Sequence, residues 1–192
     1  MVPYFPDFIQ NADVEILNWI HKFFSCLFLD VVMPVITALG NKGLFMILVA
    51  VILVCFKKTR KTGIAMGIAL VLGLALGNGL LKNLFARVRP YELEGALVTD
   101  LLIKAPHDHS FPSGHTLASF EFASVMAICY KSLPGKKVTA VISVVLAVLI
   151  AFSRLYLYVH FPSDVLGGAI LGTLFGFCGV WIVNAVDKRI KK

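Results

Sequence analysis

The chain has 192 residues, of which 58% are hydrophobic and only 15% are charged. So apolar a composition excludes an ordinary soluble domain and indicates a single integral membrane domain over residues 1–192. The net charge of +7 does not indicate nucleic-acid binding, because the basic residues cluster in short loops between apolar segments.

The first forty residues predict an interfacial segment that leads into a first membrane crossing. Residues 13–24 mix apolar and polar side chains and place Trp19 where lipid headgroups lie. Residues 27–39 are more apolar, and Gly40 and Asn41 then form a helix stop signal. Residues 43–56 carry no formal charge before Lys57 and predict a second helix. That helix would span only about 21 Å of a hydrocarbon core of about 30 Å.

Four more helices are predicted over residues 62–86, 113–130, 138–152 and 162–186. Two of them carry glycines at intervals that let helices approach closely in lipid. These glycines are Gly63, Gly67, Gly73 and Gly77 in the third helix, and Gly168, Gly172 and Gly176 in the last. The sequence therefore predicts an all-α, polytopic transmembrane bundle of about six helices with an N-terminal interfacial segment.

Three basic turns alternate along the chain with the polar loops. The turns cover residues 57–61, 131–137 and 187–192. Because cytoplasmic loops carry an excess of Lys and Arg, we expect these turns to face the cytoplasm. The polar loops, which hold most of the titratable residues discussed below, then share the extracytoplasmic face of the cell membrane.

One polar loop places an Arg, a His and an Asp between two long apolar segments. Charged groups at membrane depth are costly, so such a cluster marks a functional site. Pro162 and Ser163 favour a helix start, which puts Asp164 in a first helical turn where it can reach back to His160. A carboxylate that orients an imidazole makes it a better nucleophile or base. Arg154 offers a planar fork of donors suited to phosphate.

A second loop carries the same helix-start sequence, because residues 111–113 and residues 161–163 both read Phe-Pro-Ser. The first copy continues with Gly114 and His115 into a long apolar stretch. Helix N-termini bind anions through free N–H groups, and Gly114 removes a side chain where such groups would face one. His115 would lie one turn from the anion, where it can act as a general acid. Ser113 also fits a plain helix cap.

Three motifs together resemble those of the type 2 phosphatidic acid phosphatase superfamily. They are Lys82…Arg89-Pro90, Pro112-Ser113-Gly114-His115 and Ser153-Arg154…His160…Asp164, in the family's order and spacing within residues 82–164. The resemblance implies a six-helix bundle that hydrolyses a lipid phosphate or diphosphate in two steps. It also implies that no metal ion or other cofactor is needed.

The resemblance also implies a role for each motif residue. His160 attacks phosphorus and forms a phosphohistidine, and Asp164 orients it. His115 protonates the leaving oxygen and then activates water. The phosphate oxygens are held by Lys82, Arg89, Ser113, Gly114 and Arg154. Cationic clamps of this kind stabilise the charge in phosphoryl transfer, which depends mostly on positioning and electrostatics.

Other polar residues have simpler or competing interpretations. His107, Asp108 and His109 could in principle hold zinc together with His115, but His107 and His109 lie outside the family motifs and are interpreted as tuning substrate access or as solvated. Arg87 also lies outside the motifs and is interpreted as a snorkelling or headgroup-contacting residue. The four Cys residues lie within apolar stretches and are interpreted as small apolar residues: Cys26, Cys55, Cys129 and Cys178.

The partners we expect are the lipid bilayer and a membrane lipid phosphate; the oligomeric state stays open. Small bacterial members of the family include undecaprenyl diphosphate and phosphatidylglycerophosphate phosphatases. We expect undecaprenyl diphosphate as substrate, because an outward-facing site suits the recycling of a polyprenyl carrier. Phosphatidylglycerophosphate or phosphatidic acid is the alternative. A transporter or channel for an anion is a more distant one, since short helices and a Lys–Arg–His set also suit that class.

Overall fold

The computed structural model describes residues 5–190, and every regular element within them is a helix. The helices are α1 (Asp7–Phe24), α2 (Leu27–Ala38), α3 (Leu44–Cys55), α4 (Arg60–Leu72), α5 (Lys82–Phe85), α6 (Gly114–Ile128), α7 (Lys137–Tyr156) and α8 (Pro162–Ile190). A π-helical stretch, Gly73–Leu81, joins α4 to α5. Short 3₁₀ turns cover Asn41–Gly43, Pro90–Glu92 and Tyr130–Ser132.

Four helical segments of the described chain are long and apolar enough to cross a membrane. They are Leu27–Cys55, Arg60–Glu92, Lys137–Tyr156 and Pro162–Ile190. The shorter α6 packs against both α7 and α8 in the middle of the bundle. The predicted all-α, polytopic transmembrane bundle is thereby confirmed.

The N-terminal region differs from its predicted boundaries. The amphipathic helix α1 begins at Asp7 and ends where Ser25 and Cys26 adopt extended backbone. Its inner face buries Asp13 and Leu17, whereas Trp19 on the other face is exposed, as an interfacial helix requires. The sequence alone merged this helix with α2 because both are rich in apolar residues.

The helices α2 and α3 lie within one candidate membrane span, Leu27–Cys55, which is broken in its middle. The break lies at Lys42 and Gly43, which both have left-handed backbone, with φ of 52° and 65°. α2 packs mainly against α7, whereas α3 packs mainly against α4. This arrangement explains the short apolar helix over residues 43–56: it is the second half of a longer segment.

The glycines of α8 allow α6 and α8 to pack closely and in parallel. An added Cβ at Gly172 would lie 2.3 Å from the Leu117 carbonyl oxygen, and one at Gly168 would lie 2.7 Å from that of Ser113. Gly67 of α4 differs, because a Cβ there would meet nothing within 4 Å. The prediction of close packing therefore holds for α8 but not at Gly67.

Two clusters of contacts define the two ends of the bundle. At one end the Oγ1 atom of Thr62 lies 2.9 Å from Ser132 Oγ, and Lys61 Nζ pairs with Asp187 at 2.7 Å. These contacts bring together the three basic turns, of which residues 191 and 192 lie outside the described chain. At the other end Ser113 N donates to the Asp164 carbonyl oxygen at 3.1 Å, so the motif-bearing loops meet there.

Candidate active site

A cavity of about 1360 Å³ lies between α3, α4 and α6 and has two chemically different parts. One part is lined by six of the eight residues predicted for the site: Lys82, Arg89, Gly114, His115, Arg154 and His160. The other is lined mainly by apolar side chains of α3 and α4, including Ile47, Val51, Ile64, Leu70, Val71 and Leu74. Such a cavity suits an amphipathic ligand with an anionic head.

The His160 imidazole is held from behind by Asp164 and a serine that sequence reasoning missed. His160 Nδ1 lies 3.6 Å from Asp164 Oδ2, which is beyond a good hydrogen bond. The Ser110 hydroxyl bridges them, since its Oγ lies 2.5 Å from that carboxylate oxygen and 3.4 Å from Nδ1. The Phe161 N–H also donates to Asp164 Oδ2, at 2.8 Å. The predicted pair therefore comes together with Ser110 between its members.

The other imidazole nitrogen of His160 faces the cavity. Arg89 Nη1 lies 3.1 Å from His160 Nε2 and donates to the Val159 carbonyl oxygen at 2.6 Å. Burial, followed by the positive charges of Arg89 and Arg154, lowers the pKa of the His160 imidazole well below its ordinary value. The ring is therefore neutral at pH 7, which is the form that a nucleophile needs.

Asp108 engages two of the predicted phosphate-binding cations. Its carboxylate pairs with Lys82 Nζ and, at 2.7 Å, with Arg89 Nη2. Burial alone would raise the pKa of the Asp108 carboxyl, but the hydrogen bonds and charges of Lys82 and Arg89 lower it to about 2. Within residues 5–190, no three His, Cys, Asp or Glu side chains come together as a metal ion would require. Asp108 is thus an ion-pair partner of two predicted phosphate-binding cations, a role that the sequence did not predict.

Removing the Asp108 charge should strengthen binding of phosphate-like anions, because a competing carboxylate is lost from Lys82 and Arg89. We expect Asp108→Asn to lower the inhibition constant for vanadate about 2- to 5-fold, in line with about 0.5–1 kcal/mol for partly exposed ion pairs. Asp100→Asn, in an exposed part of the same loop, is the control and should leave the inhibition constant for vanadate unchanged. Weaker vanadate inhibition of Asp108→Asn would contradict the competition.

Arg154 is contacted by the last turn of α2, and His115 by the turn that follows it. Arg154 Nη1 donates to Thr37 Oγ1 at 2.6 Å, and its buried Nε has no hydrogen-bond partner among the described residues. His115 Nε2 lies 3.0 Å from Asn41 Oδ1, an acceptor, so this nitrogen carries the hydrogen. In the sequence Asn41 was interpreted only as a stop signal, and nothing local linked it to His115.

Ser113 and Gly114 begin α6 with different surroundings. The Ser113 hydroxyl accepts from the Thr116 N–H at 3.5 Å and from the Thr116 hydroxyl at 3.0 Å, which is an N-cap arrangement. Ser113 is fully buried and its hydroxyl caps α6, so its contact with phosphate stays a prediction. Gly114 does line the cavity, and an added Cβ there would lie 2.8 Å from Asn78 Oδ1.

Arg87 was interpreted as a snorkelling residue, and that interpretation is wrong. Its side chain is 2% exposed and forms ion pairs at 2.7 Å with both Asp13 and Asp164. The left-handed residue Ala86, with φ of 40°, ends α5 just before it. Arg87 thus lies inside the protein, where two carboxylates distant in sequence compensate its charge.

The profile of the PAP2 superfamily matches residues 44–189 of the chain. The chain belongs to this superfamily. Phosphatidylglycerophosphatase B of Bacillus subtilis is 37% identical over 96% of this chain and 87% of its own length. An undecaprenyl-diphosphatase of Sulfolobus acidocaldarius is 33% identical over 74% of this chain and 68% of its own length.

A solved structure gives the same picture. The transmembrane PAP2-type phosphatidylglycerolphosphate phosphatase of Bacillus subtilis superposes with a TM-score of 0.74 at 32% identity, over 97% of this chain and 89% of that one. This PAP2 protein is therefore a multi-pass membrane lipid phosphatase, which confirms the predicted enzyme class.

Proposed function

We propose that this phosphatase removes the terminal phosphate of a membrane lipid in two steps, with His160 as the nucleophile. The observation that carries the proposal is the cavity, whose polar part gathers cationic side chains around His160 while its other part is lined by apolar side chains of α3 and α4. The phosphate oxygens would lie against Lys82, Arg89 and Arg154, with the lipid chain along α3 and α4. Three cations can supply the charge stabilisation that Mg²⁺ provides in other phosphoryl transfers.

In the first step, Nε2 of His160 attacks phosphorus and the bond from phosphorus to the leaving oxygen breaks. Asp164 and Ser110 hold the hydrogen on Nδ1, so Nε2 carries the lone pair, which turns from Arg89 Nη1 to phosphorus when the substrate binds. His115, which the bound phosphate anion holds as the imidazolium, gives a proton to the leaving oxygen and becomes neutral. In the second step, His115 accepts a proton from water, the water oxygen bonds to phosphorus, and inorganic phosphate leaves His160.

For the lipid, we propose undecaprenyl diphosphate, in which case the leaving group is the lipid monophosphate. The supporting observation is that relatives named undecaprenyl-diphosphatase occur among those most similar to this chain, at 30–33% identity. Phosphatidylglycerophosphate is the second candidate, favoured because the relative with that activity in its name aligns over nearly the whole chain.

A phosphate-release assay with purified protein tests this function. Undecaprenyl diphosphate, phosphatidylglycerophosphate and phosphatidic acid are offered in the same detergent, with His160→Ala as the inactive control. We expect the highest kcat/KM for undecaprenyl diphosphate. A preference for either glycerolipid would replace the proposed substrate. Absence of phosphate release from every lipid would overturn the function and favour an anion transporter.

The same assay checks the proposed independence of metal ions. The site offers cations rather than a carboxylate cluster for Mg²⁺. We therefore expect activity to survive EDTA and to be inhibited by vanadate, a phosphate-like anion. The mechanism would be contradicted if EDTA abolished the activity and an added divalent ion restored it.

We also propose that the site faces the extracytoplasmic side of the cell membrane. In support, the basic turns lie at the opposite end of the bundle from His160. In a variant without the four native cysteines, Thr99→Cys should react with an impermeant thiol reagent in intact cells, whereas Ser132→Cys should react only after permeabilisation. The reverse pattern would contradict this orientation.

A further inference from the structure

Arg87 occupies a buried position behind the catalytic pair rather than in the cavity. The cavity lining includes Arg89 and Arg154 but neither Arg87 nor Asp164. The Arg87 guanidinium also lies between two aromatic rings, 3.8 Å from the centroid of Phe5 and 4.1 Å from that of Phe161. Its plane is therefore fixed, and it has no route to a phosphate bound beside His160 Nε2.

The two ends of the Arg87 fork reach different elements. Nη1 donates to Asp164 Oδ1 and to Ser163 Oγ, both at 2.7 Å, at the start of α8. Nη2 donates to Gln10 Oε1 and to Asp13 Oδ2, also at 2.7 Å, on α1. One planar side chain thus joins the interfacial helix to the helix that carries the catalytic carboxylate.

Asp13 makes a second, direct connection between the same two helices. Its Oδ1 accepts from the Ser163 N–H at 2.9 Å, and its Oδ2 accepts from the Ser163 hydroxyl at 2.5 Å. A buried acidic group on a mostly apolar helix face is costly unless it is paired. The pairing of Asp13 with Arg87 and Ser163 therefore fixes how α1 lies against the first turn of α8.

The contacts of Asp164 show what this connection does for His160. Arg87 holds Oδ1, so the other oxygen, Oδ2, is left for Ser110, the Phe161 N–H and the imidazole. Asp164 is fully buried, so without Arg87 its charge would lack its ion-pair partner. Arg87 thus fixes both the charge and the rotation of the carboxylate that orients the nucleophile.

We propose that Arg87 is a positioning residue for the Asp164–His160 pair, and that Asp13 makes the interfacial helix α1 part of the active-site framework. The proposal rests on the phosphohistidine mechanism above, but nothing in it depends on which lipid is the substrate. It assigns to α1 a role in catalysis besides attachment to the membrane surface.

The test separates positioning from phosphate binding by comparing kcat with the inhibition constant for inorganic phosphate. Lys keeps the charge of Arg87 but cannot reach both helices with a planar fork. We expect Arg87→Lys to lower kcat about 10- to 100-fold, the range for partners that orient a ligating histidine. The inhibition constant for inorganic phosphate, the tetrahedral product that Lys82, Arg89 and Arg154 would hold, should change by less than about 3-fold.

Asp13→Asn provides the second variant, with Glu15→Gln as its matched control on the exposed side of α1. Loss of the Asp13 charge should lower kcat about 3- to 10-fold, again without a change in the inhibition constant for inorganic phosphate. Glu15→Gln should behave as wild type. Because both residues act through one network, the double variant should lose no more than Arg87→Lys alone.

Several results would overturn the proposal. Weakening of phosphate inhibition in step with the loss of kcat would make Arg87 a phosphate-binding residue. Wild-type kcat in Asp13→Asn, or an equal loss in Glu15→Gln, would remove α1 from the framework. If Arg87→Lys unfolds at lower temperature yet its folded fraction keeps wild-type kcat, the role is structural only. A wild-type protein that releases no phosphate from any lipid would count against the proposed function instead.

Discussion

His160→Ala should abolish both lipid turnover and any trapped phosphoenzyme, whereas His115→Ala should still form phosphoenzyme from an activated substrate. Both histidines line the same cavity, but only His160 has a carboxylate behind it, with Ser110 bridging to Asp164. His115 instead contacts the neutral amide of Asn41. A carboxylate that holds an imidazole in one tautomer makes it suited to be the nucleophile, so His160 takes that role and His115 that of the proton donor.

The expected loss of activity in each variant follows from the role of the histidine that it lacks. A general acid contributes about 10² to 10⁴ in rate, so His115→Ala should lose that much on a lipid with a poor leaving group. An aryl phosphate needs little protonation of its leaving oxygen and should recover part of the loss. No leaving group can replace a missing nucleophile, so His160→Ala should stay inactive on every substrate.

The measurement traps the intermediate from labelled substrate by a rapid alkaline quench, because a phosphohistidine is labile to acid. Asp164→Asn should trap a reduced but detectable amount of phosphoenzyme. His21→Ala, on α1 and outside the cavity, is the control for loss of a histidine and should trap as much as wild type. Trapping in His160→Ala but not in His115→Ala would mean that the two roles are exchanged.

The sequence predicted the residues of the polar part of the cavity because they sit in short motifs with local spacing. His160 and Asp164 are one helical turn apart at a helix start, so their approach needs no knowledge of the rest of the fold. Ser110, Arg87 and Asp108 were missed or misjudged because their partners are set by long-range packing. Arg87, for example, pairs with carboxylates 74 and 77 residues away in the sequence.

The N-terminal half shows a second limit of sequence reasoning. Residues 27–55 are apolar whether they form a hairpin or one broken segment, so hydrophobicity cannot choose between the two. The choice depends on the backbone of Lys42 and Gly43, which both adopt left-handed conformation. That break brings Thr37 to Arg154 and Asn41 to His115, so it also decides two contacts of the candidate site.

Glycine spacing also predicts close packing without saying which glycines are packed. Gly67 and Gly172 both belong to runs with four-residue intervals, yet only Gly172 faces a neighbouring backbone. A Cβ at Gly172 would lie 2.3 Å from the Leu117 carbonyl oxygen and 3.0 Å from Phe120 Cβ, whereas one at Gly67 would meet nothing within 4 Å. Which glycines face a neighbouring helix depends on how each helix is rotated about its own axis.

Gly172→Ala should therefore destabilise the protein and impair catalysis, while Gly67→Ala should do neither. Overpacking costs about 1–3 kcal/mol, which corresponds to a fall of about 2–12 °C in the unfolding midpoint of a chain of this size. Forcing α6 from α8 also separates the helices that carry His115 and Asp164, so kcat should fall together with stability. At Gly67 the added methyl group favours the helix by up to about 1 kcal/mol.

Thermal unfolding in detergent and phosphate release, measured on both variants, check this pair of expectations. The two substitutions add the same methyl group to the same residue type, so any difference between them reports the surroundings alone. Equal unfolding midpoints for the two variants would contradict the close packing of α6 on α8. A lower midpoint for Gly172→Ala with wild-type kcat would mean that α6 and α8 can separate without moving His115 relative to Asp164. Catalysis would then not depend on the close packing of these two helices.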